Sequence, residues 1–223
     1  MYFLIDYENV RNAGMQGTEH LCPEDCVIVF YSVDAPTMER RHLTNISNSG
    51  CGFETYRLKS KRKNGLDFYI ATKVGELFGA GRCKKAVLIS RDGGFKAIRD
   101  FWNSCSGTQN RIVISSSIEC GIGSCGEHST RANNISSGKK TVDIGNYYAA
   151  FQENQRLRQA IRDVFAGTGF ENRFVEIEAL LKTATAPKMI YINSLRRFGR
   201  TGGQEVYRIL KNCGSDNIIC ESR

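Results

Sequence analysis

Five short runs of apolar and β-branched residues recur through the first half of the chain: Tyr2 to Ile5, Val27 to Tyr31, Phe53 to Leu58, Ala86 to Ser90 and Ile112 to Ser115. Each has the length of a strand, and the stretches between them can hold helices. Strands that alternate with helices pair through crossover connections, which produce a parallel sheet. The pattern predicts an α/β domain.

Helical spacing is clearest from Leu66 to Phe78, where Leu66, Ile70, Val74, Leu77 and Phe78 repeat behind the start signal Asn64-Gly65. Phe95 to Asn103 repeats it through Phe95, Ile98, Phe101 and Trp102, after the turn Asp92-Gly93-Gly94. Pro36 to Asn48 reads as a polar helix, whereas residues 11–22 are too interrupted by glycine to assign. After Ile118 the texture changes to Gly, Ser, Asn, Cys and Lys with no sustained apolar period, the mark of a loop or linker. A long amphipathic helix is expected over 141–166 through Ile144, Tyr148, Phe151, Ile161 and Phe165, followed by shorter helices near 172–183, 188–198 and 204–213. Short helices joined by tight turns suit a helix-turn-helix as well as an ordinary bundle. The expected organisation is an α/β domain over 1–118, a linker over 119–140 and a helical C-terminal region over 141–223.

At 223 residues and 41% apolar content the chain can build a core in both parts. No run approaches the roughly 18 apolar residues of a membrane span, and Met1 leads directly into a strand with no charged leader region. The expectation is a cytoplasmic protein without membrane contact. Nine irregularly spaced cysteines read as reduced thiols, and the clusters around Cys22 and Cys120 lack the paired spacing of zinc modules. A net charge of +8 favours a polyanionic partner. The excess is concentrated at residues 57–63, Arg-Leu-Lys-Ser-Lys-Arg-Lys, where five of seven positions are cationic.

Three acids stand where an α/β chain places chemistry. Asp6 closes the first apolar run, Asp92 follows the fourth, and Asp67 falls in the first turn of the Leu66 helix. Strand C-terminal ends and the helix starts beside them share one edge of a parallel sheet, so these carboxylates can converge. Clustered carboxylates repel unless cations hold them, which reads as a divalent-metal site suited to phosphoryl chemistry. The cations at Lys59, Lys61, Arg62 and Lys63 lie directly before Asp67, where a phosphodiester would approach. Asn9, three residues after Asp6, can take a phosphate or fix the Asp6 carboxylate, and Ser90 precedes Asp92 at the same edge.

The ordered set Ile5-Asp6-x-x-Asn9, Lys63-x-Gly65-x-Asp67 and Ser90-x-Asp92-x-x-Phe95 resembles the PIN-like nuclease superfamily, especially its NYN branch, over about residues 1–118. The resemblance implies a three-layer, Rossmann-like parallel-sheet domain and a metal-dependent endoribonuclease. Asp6, Asp67 and Asp92 would be catalytic and would hold one or two Mg2+ or Mn2+ ions, while Lys59 to Lys63, Asn9 and Ser90 would contact RNA. Gly94 stands where many relatives carry a further acid, and Glu39, with Asp34 as its rival, is the nearest candidate for another acidic ligand. By resemblance a homodimer is plausible, and an inhibitory or regulatory protein partner would suit a toxin or antiviral effector. Two other readings compete: an RNA-binding protein on a decayed nuclease fold, and a haloacid-dehalogenase-like phosphatase, whose Asp-x-Asp loop Asp6-Tyr7-Glu8 echoes with Glu8 replacing the second aspartate.

Overall fold

The computed structural model describes residues 1–59, 62–105, 109–126 and 140–212. Five parallel strands form the main sheet: β1 (Tyr2–Asp6), β2 (Cys26–Tyr31), β4 (Gly52–Arg57), β5 (Lys85–Ile89) and β6 (Arg111–Ser115), in the spatial order β4-β2-β1-β5-β6. The five apolar runs are these five strands. Their continuous hydrophobicity follows from burial on both faces: Phe3, Leu4 and Ile5 of β1 and Val87, Leu88 and Ile89 of β5 are fully buried.

Alternate side chains divide the core into two layers. On one face Leu4, Ile28, Phe30 and Leu88 pack with Leu66, Ile70, Val74, Leu77 and Phe78 of α3 (Gly65–Gly79) and with Ile98 and Trp102 of α4 (Lys96–Ser104). The helical period of those α3 residues is thus the period of one buried stripe. Truncating Leu4 to Ala, at the centre of this layer, would cost about 2–5 kcal/mol.

Elements α1 (Tyr7–Gly14), α2 (Arg40–Ser49) and α5 (Ile118–Ser124) complete the α/β unit. A Cβ on Gly121 of α5 would come within 2.7 Å of Val87 and within 3.7 Å of Phe3, so a bare backbone lets this helix lie on the sheet. Residues 119–124, expected in a linker, are therefore part of the fold, and residues 127–139 of that segment lie outside the described ones. A small antiparallel pair, β3 (Thr37–Glu39) with β7 (Thr141–Asp143), adds a second sheet. Residues 37–39 are thus extended, and the helix expected from Pro36 starts only at Arg40.

Two compact units divide the chain, Met1–Tyr148 and Ala149–Arg223, with the boundary inside the long helix α6 (Ile144–Phe165). The first turn of α6 belongs to the α/β unit: the Tyr147 hydroxyl donates to the Leu43 carbonyl at 3.1 Å, and Phe53 meets Tyr148 edge-on at 5.3 Å. In the second unit α7 (Phe174–Thr183) and α8 (Pro187–Asn212) share a core with the end of α6. The two helices expected after residue 187 run as one element with a kink at Gly199, whose φ of 74° places it in the left-handed region. No described helix is long and apolar enough to cross a membrane.

Candidate active site

From β1 the chain builds outward to β2 and β4, then returns to the other side of β1 for β5 and β6. The order reverses between β1 and β5, and at such a switch point the loops leaving two neighbouring strands part and open a crevice. Ile5 pairs with Ile89, so Asp6 and Ser90 emerge side by side. The crevice is the cavity, about 360 Å3, lined by Asp6, Glu8, Asn9, Leu58, Arg62, Asn64, Gly65, Leu66, Asp67 and Asp92. All three acids singled out from the sequence meet there.

Each acid is placed by a different local device. Asp6 is the last residue of β1 and is 5% exposed, so it forms the floor. Ser90 donates to Asp6 Oδ2 at 2.8 Å, and the Asp92 amide donates to Ser90 Oγ at 3.0 Å. Asp67 stands half-buried in the first turn of α3, where Asn64, with φ of 60°, turns the chain into the helix. Asn tolerates that left-handed conformation better than most residues. Exposed Asp92 accepts the Gly94 amide on Oδ1 at 2.7 Å, so it also caps the short turn that leads into α4.

The electrostatics show that these carboxylates sense one another. Asp6 is pushed up to about 6, mainly by burial, with the charges of Asp67 and Glu8 adding to the rise; the Ser90 hydroxyl and the Asn9 backbone amide oppose it. Asp67 is also raised, first by burial and then by Asp92 and Glu8. Neighbouring negative charge thus adds to burial in disfavouring the ionised forms of Asp6 and Asp67, and a divalent cation would relieve that repulsion. Carboxylate oxygens are hard donors of the kind that divalent cations take. Among the described residues no three or more His, Cys, Asp or Glu side chains stand close enough together to hold a metal ion as placed.

The lining of the pocket differs in part from the residues singled out in the sequence. Glu39 does not line the pocket: its Oε2 accepts from Arg41 Nε at 2.7 Å, and its amide is held by Asn12 at 3.0 Å. The fourth acid at the site is Glu8. It sits in the first turn of α1, which begins directly after β1, and that immediate strand-to-helix step was the available signal. Asp34 is likewise not a lining residue. The Asn9 side chain accepts the Arg91 amide at 3.0 Å and so pins the loop after β5 to α1, and Asn9 also lines the pocket. Of the basic run, Arg62 lines the pocket, Lys59 and Lys63 are exposed beside it in sequence, and Lys61 lies outside the described residues.

A family described as PIN domain matches residues 1–112, half of the chain. The chain belongs to the PIN domain family. The match covers β1 through the start of β6, and so all four acids of the pocket. The parallel five-stranded sheet with helices on its faces is the nuclease-type fold of a PIN domain. No curated protein and no solved structure matches the chain.

Proposed function

We propose that the protein is a divalent-metal-dependent endoribonuclease of the PIN-like superfamily, with NYN-type motifs, whose active site is the acidic crevice at the end of β1 and β5. The observation that carries this reading is the convergence of Asp6, Asp67 and Asp92, joined by Glu8, in one cavity at the switch point of a PIN domain. A structural role for one of these acids is ordinary, and Asp92 has one as a cap. That one role does not account for four carboxylates around one crevice, two of them raised in part by the others.

Mg2+ or Mn2+ held by these oxygens would acidify a water for attack on phosphorus and neutralise charge on the leaving 3' oxygen. The residues of the chain do the rest. Asp6, on a rigid central strand and oriented by Ser90, is the fixed ligand. Asp67 and Asp92 close the set from α3 and the turn after β5, and Glu8 supplies a fourth carboxylate from α1. Arg62 at the rim, with Lys59 and Lys63, holds the phosphate backbone and offsets the negative charge that would otherwise repel RNA. Attack by water leaves a 5'-phosphate on the product.

Labelled single-stranded RNA incubated with Mn2+, beside a phosphomonoester substrate, tests the reading. Divalent-dependent RNA fragments carrying 5'-phosphates support it. Released phosphate alone would point to a phosphatase, and a gel shift without cleavage to a non-catalytic RNA binder.

A further inference from the structure

Helix α3 carries one large apolar side chain that the core does not use. Leu66, Ile70, Val74, Leu77 and Phe78 fill the stripe that packs on the sheet. Phe68 lies outside that stripe and is 68% exposed, more than any other large apolar side chain among the described residues. A ring of that size left in water forgoes the gain of burial. Single exposed apolar residues are common on protein surfaces, and what distinguishes Phe68 is its place.

Asn64, Gly65, Leu66 and Asp67 all line the acidic crevice, and Phe68 is the next residue. Its amide donates to the Asn64 carbonyl at 3.2 Å, so it stands one helical turn above a lining residue. Aromatic and other long side chains on a helix lean toward its N-terminus. For α3 that is the end at the crevice, so Phe68 belongs to the rim beside Asp67. The stretch leading into it supplies positive charge: Lys59, Arg62 and Lys63 are exposed, and Arg62 lines the crevice.

We propose that Phe68 is a base-stacking platform, a subsite for one unpaired nucleobase of a single-stranded RNA whose backbone crosses the crevice. The inference rests on the ribonuclease reading and adds to it the strandedness of the substrate. Single-strand binding combines cations that follow the phosphates with exposed rings on which bases lie. The rim has both within one stretch, Lys59 to Phe68. In a duplex the faces of each base are already covered by its neighbours, so the ring has nothing to take. An apolar protein segment would bury the ring but leave the adjacent cations without anions, whereas RNA brings a phosphate with every base.

A double-mutant cycle between the ring and a base tests this. Affinity is measured by fluorescence anisotropy with the full chain in a chelator, which prevents divalent-dependent cleavage. The probes are a labelled single-stranded RNA, a set of the same RNA each lacking one base, and its duplex. Phe68→Ala is expected to weaken binding of the intact single strand about fivefold or more, with an unchanged salt slope because no phosphate contact is lost. At one position, removing the base costs the parent a similar factor and costs Phe68→Ala nothing further. Phe68→Trp restores the affinity and Phe68→Leu does not, since only Trp keeps a π face. Phe101→Ala, which removes a 61% exposed ring on α4 that does not line the crevice, leaves binding unchanged. Matching melting curves confirm that the variants fold. Parental affinity of Phe68→Ala, additive losses at every position, an equal loss on the duplex, or an equal loss for Phe101→Ala each overturn the proposal. Mn2+-dependent cleavage without coupling between ring and base would remove the subsite and leave the ribonuclease reading; coupling without cleavage would do the reverse.

Discussion

Ser90 ties the floor of the crevice to its wall: its hydroxyl donates to Asp6 Oδ2 at 2.8 Å and accepts the Asp92 amide at 3.0 Å. One side chain thus fixes the orientation of the buried acid and the path of the loop carrying the exposed one. The hydrogen bond also favours the ionised form of Asp6, against the burial that disfavours it.

Ser90→Ala should therefore lower metal-dependent cleavage about tenfold to a hundredfold and move the acidic limb of the pH–rate profile to higher pH. The shift in the limb separates a positioning role from simple loss of packing. An unmoved limb would remove Ser90 from the site.

Stability should also depend on Asp6. Its folded pKa of about 6 lies above that of an unfolded aspartate, so the folded state binds the extra proton. The associated stability is present below about pH 4 and is lost as pH rises through about 6. In a chelator, Asp6→Asn should match the parent near pH 4 and exceed it by on the order of 1–3 kcal/mol at pH 7.5. Thermal melts at several pH values read this directly, and a lower melting temperature at pH 7.5 would contradict it.

The fourth acid can be identified by charge-neutral variants. Glu8→Gln should lower cleavage at least tenfold because Glu8 lines the crevice. Glu39→Gln should stay within about threefold of the parent, since that carboxylate is occupied by Arg41 outside the crevice. The reverse order of effects would restore Glu39 as the ligand.

Replacing Lys59, Arg62 and Lys63 by Ala should weaken binding of single-stranded RNA across sequences and make the salt slope shallower by about 2. All three are exposed, so folding should hardly change. An unchanged slope would assign the run to a solvated loop.

The strands were legible because burial on both faces demands unbroken apolar runs, and Leu66 to Phe78 was legible because one stripe of α3 carries the core. Asp6, Asp67 and Asp92 could be placed because strand ends and helix starts follow from those runs. The small sheet was not legible: Thr37–Glu39 pairs with Thr141–Asp143, about a hundred residues away, and neither segment has a local strand pattern. The same partnership explains why Pro36 to Asn48 misread as a single helix. Glu8 was weighed only as a substitute aspartate, because Tyr7–Gly14 is too short and polar to announce a helix. Tyr7 is nevertheless 1% exposed and donates to the Thr37 carbonyl at 2.8 Å, so a tertiary contact helps fix α1.

The central claim rests on three carboxylates acting as one metal-holding set. Its most direct test is divalent-dependent cleavage of a labelled single-stranded RNA by the parent and by Asp6→Asn, Asp67→Asn and Asp92→Asn, each checked for an intact fold. The account predicts cleavage by the parent that requires Mg2+ or Mn2+ and a loss of at least about a hundredfold in every variant. Parental turnover in all three variants, or cleavage that persists in a chelator, would contradict it.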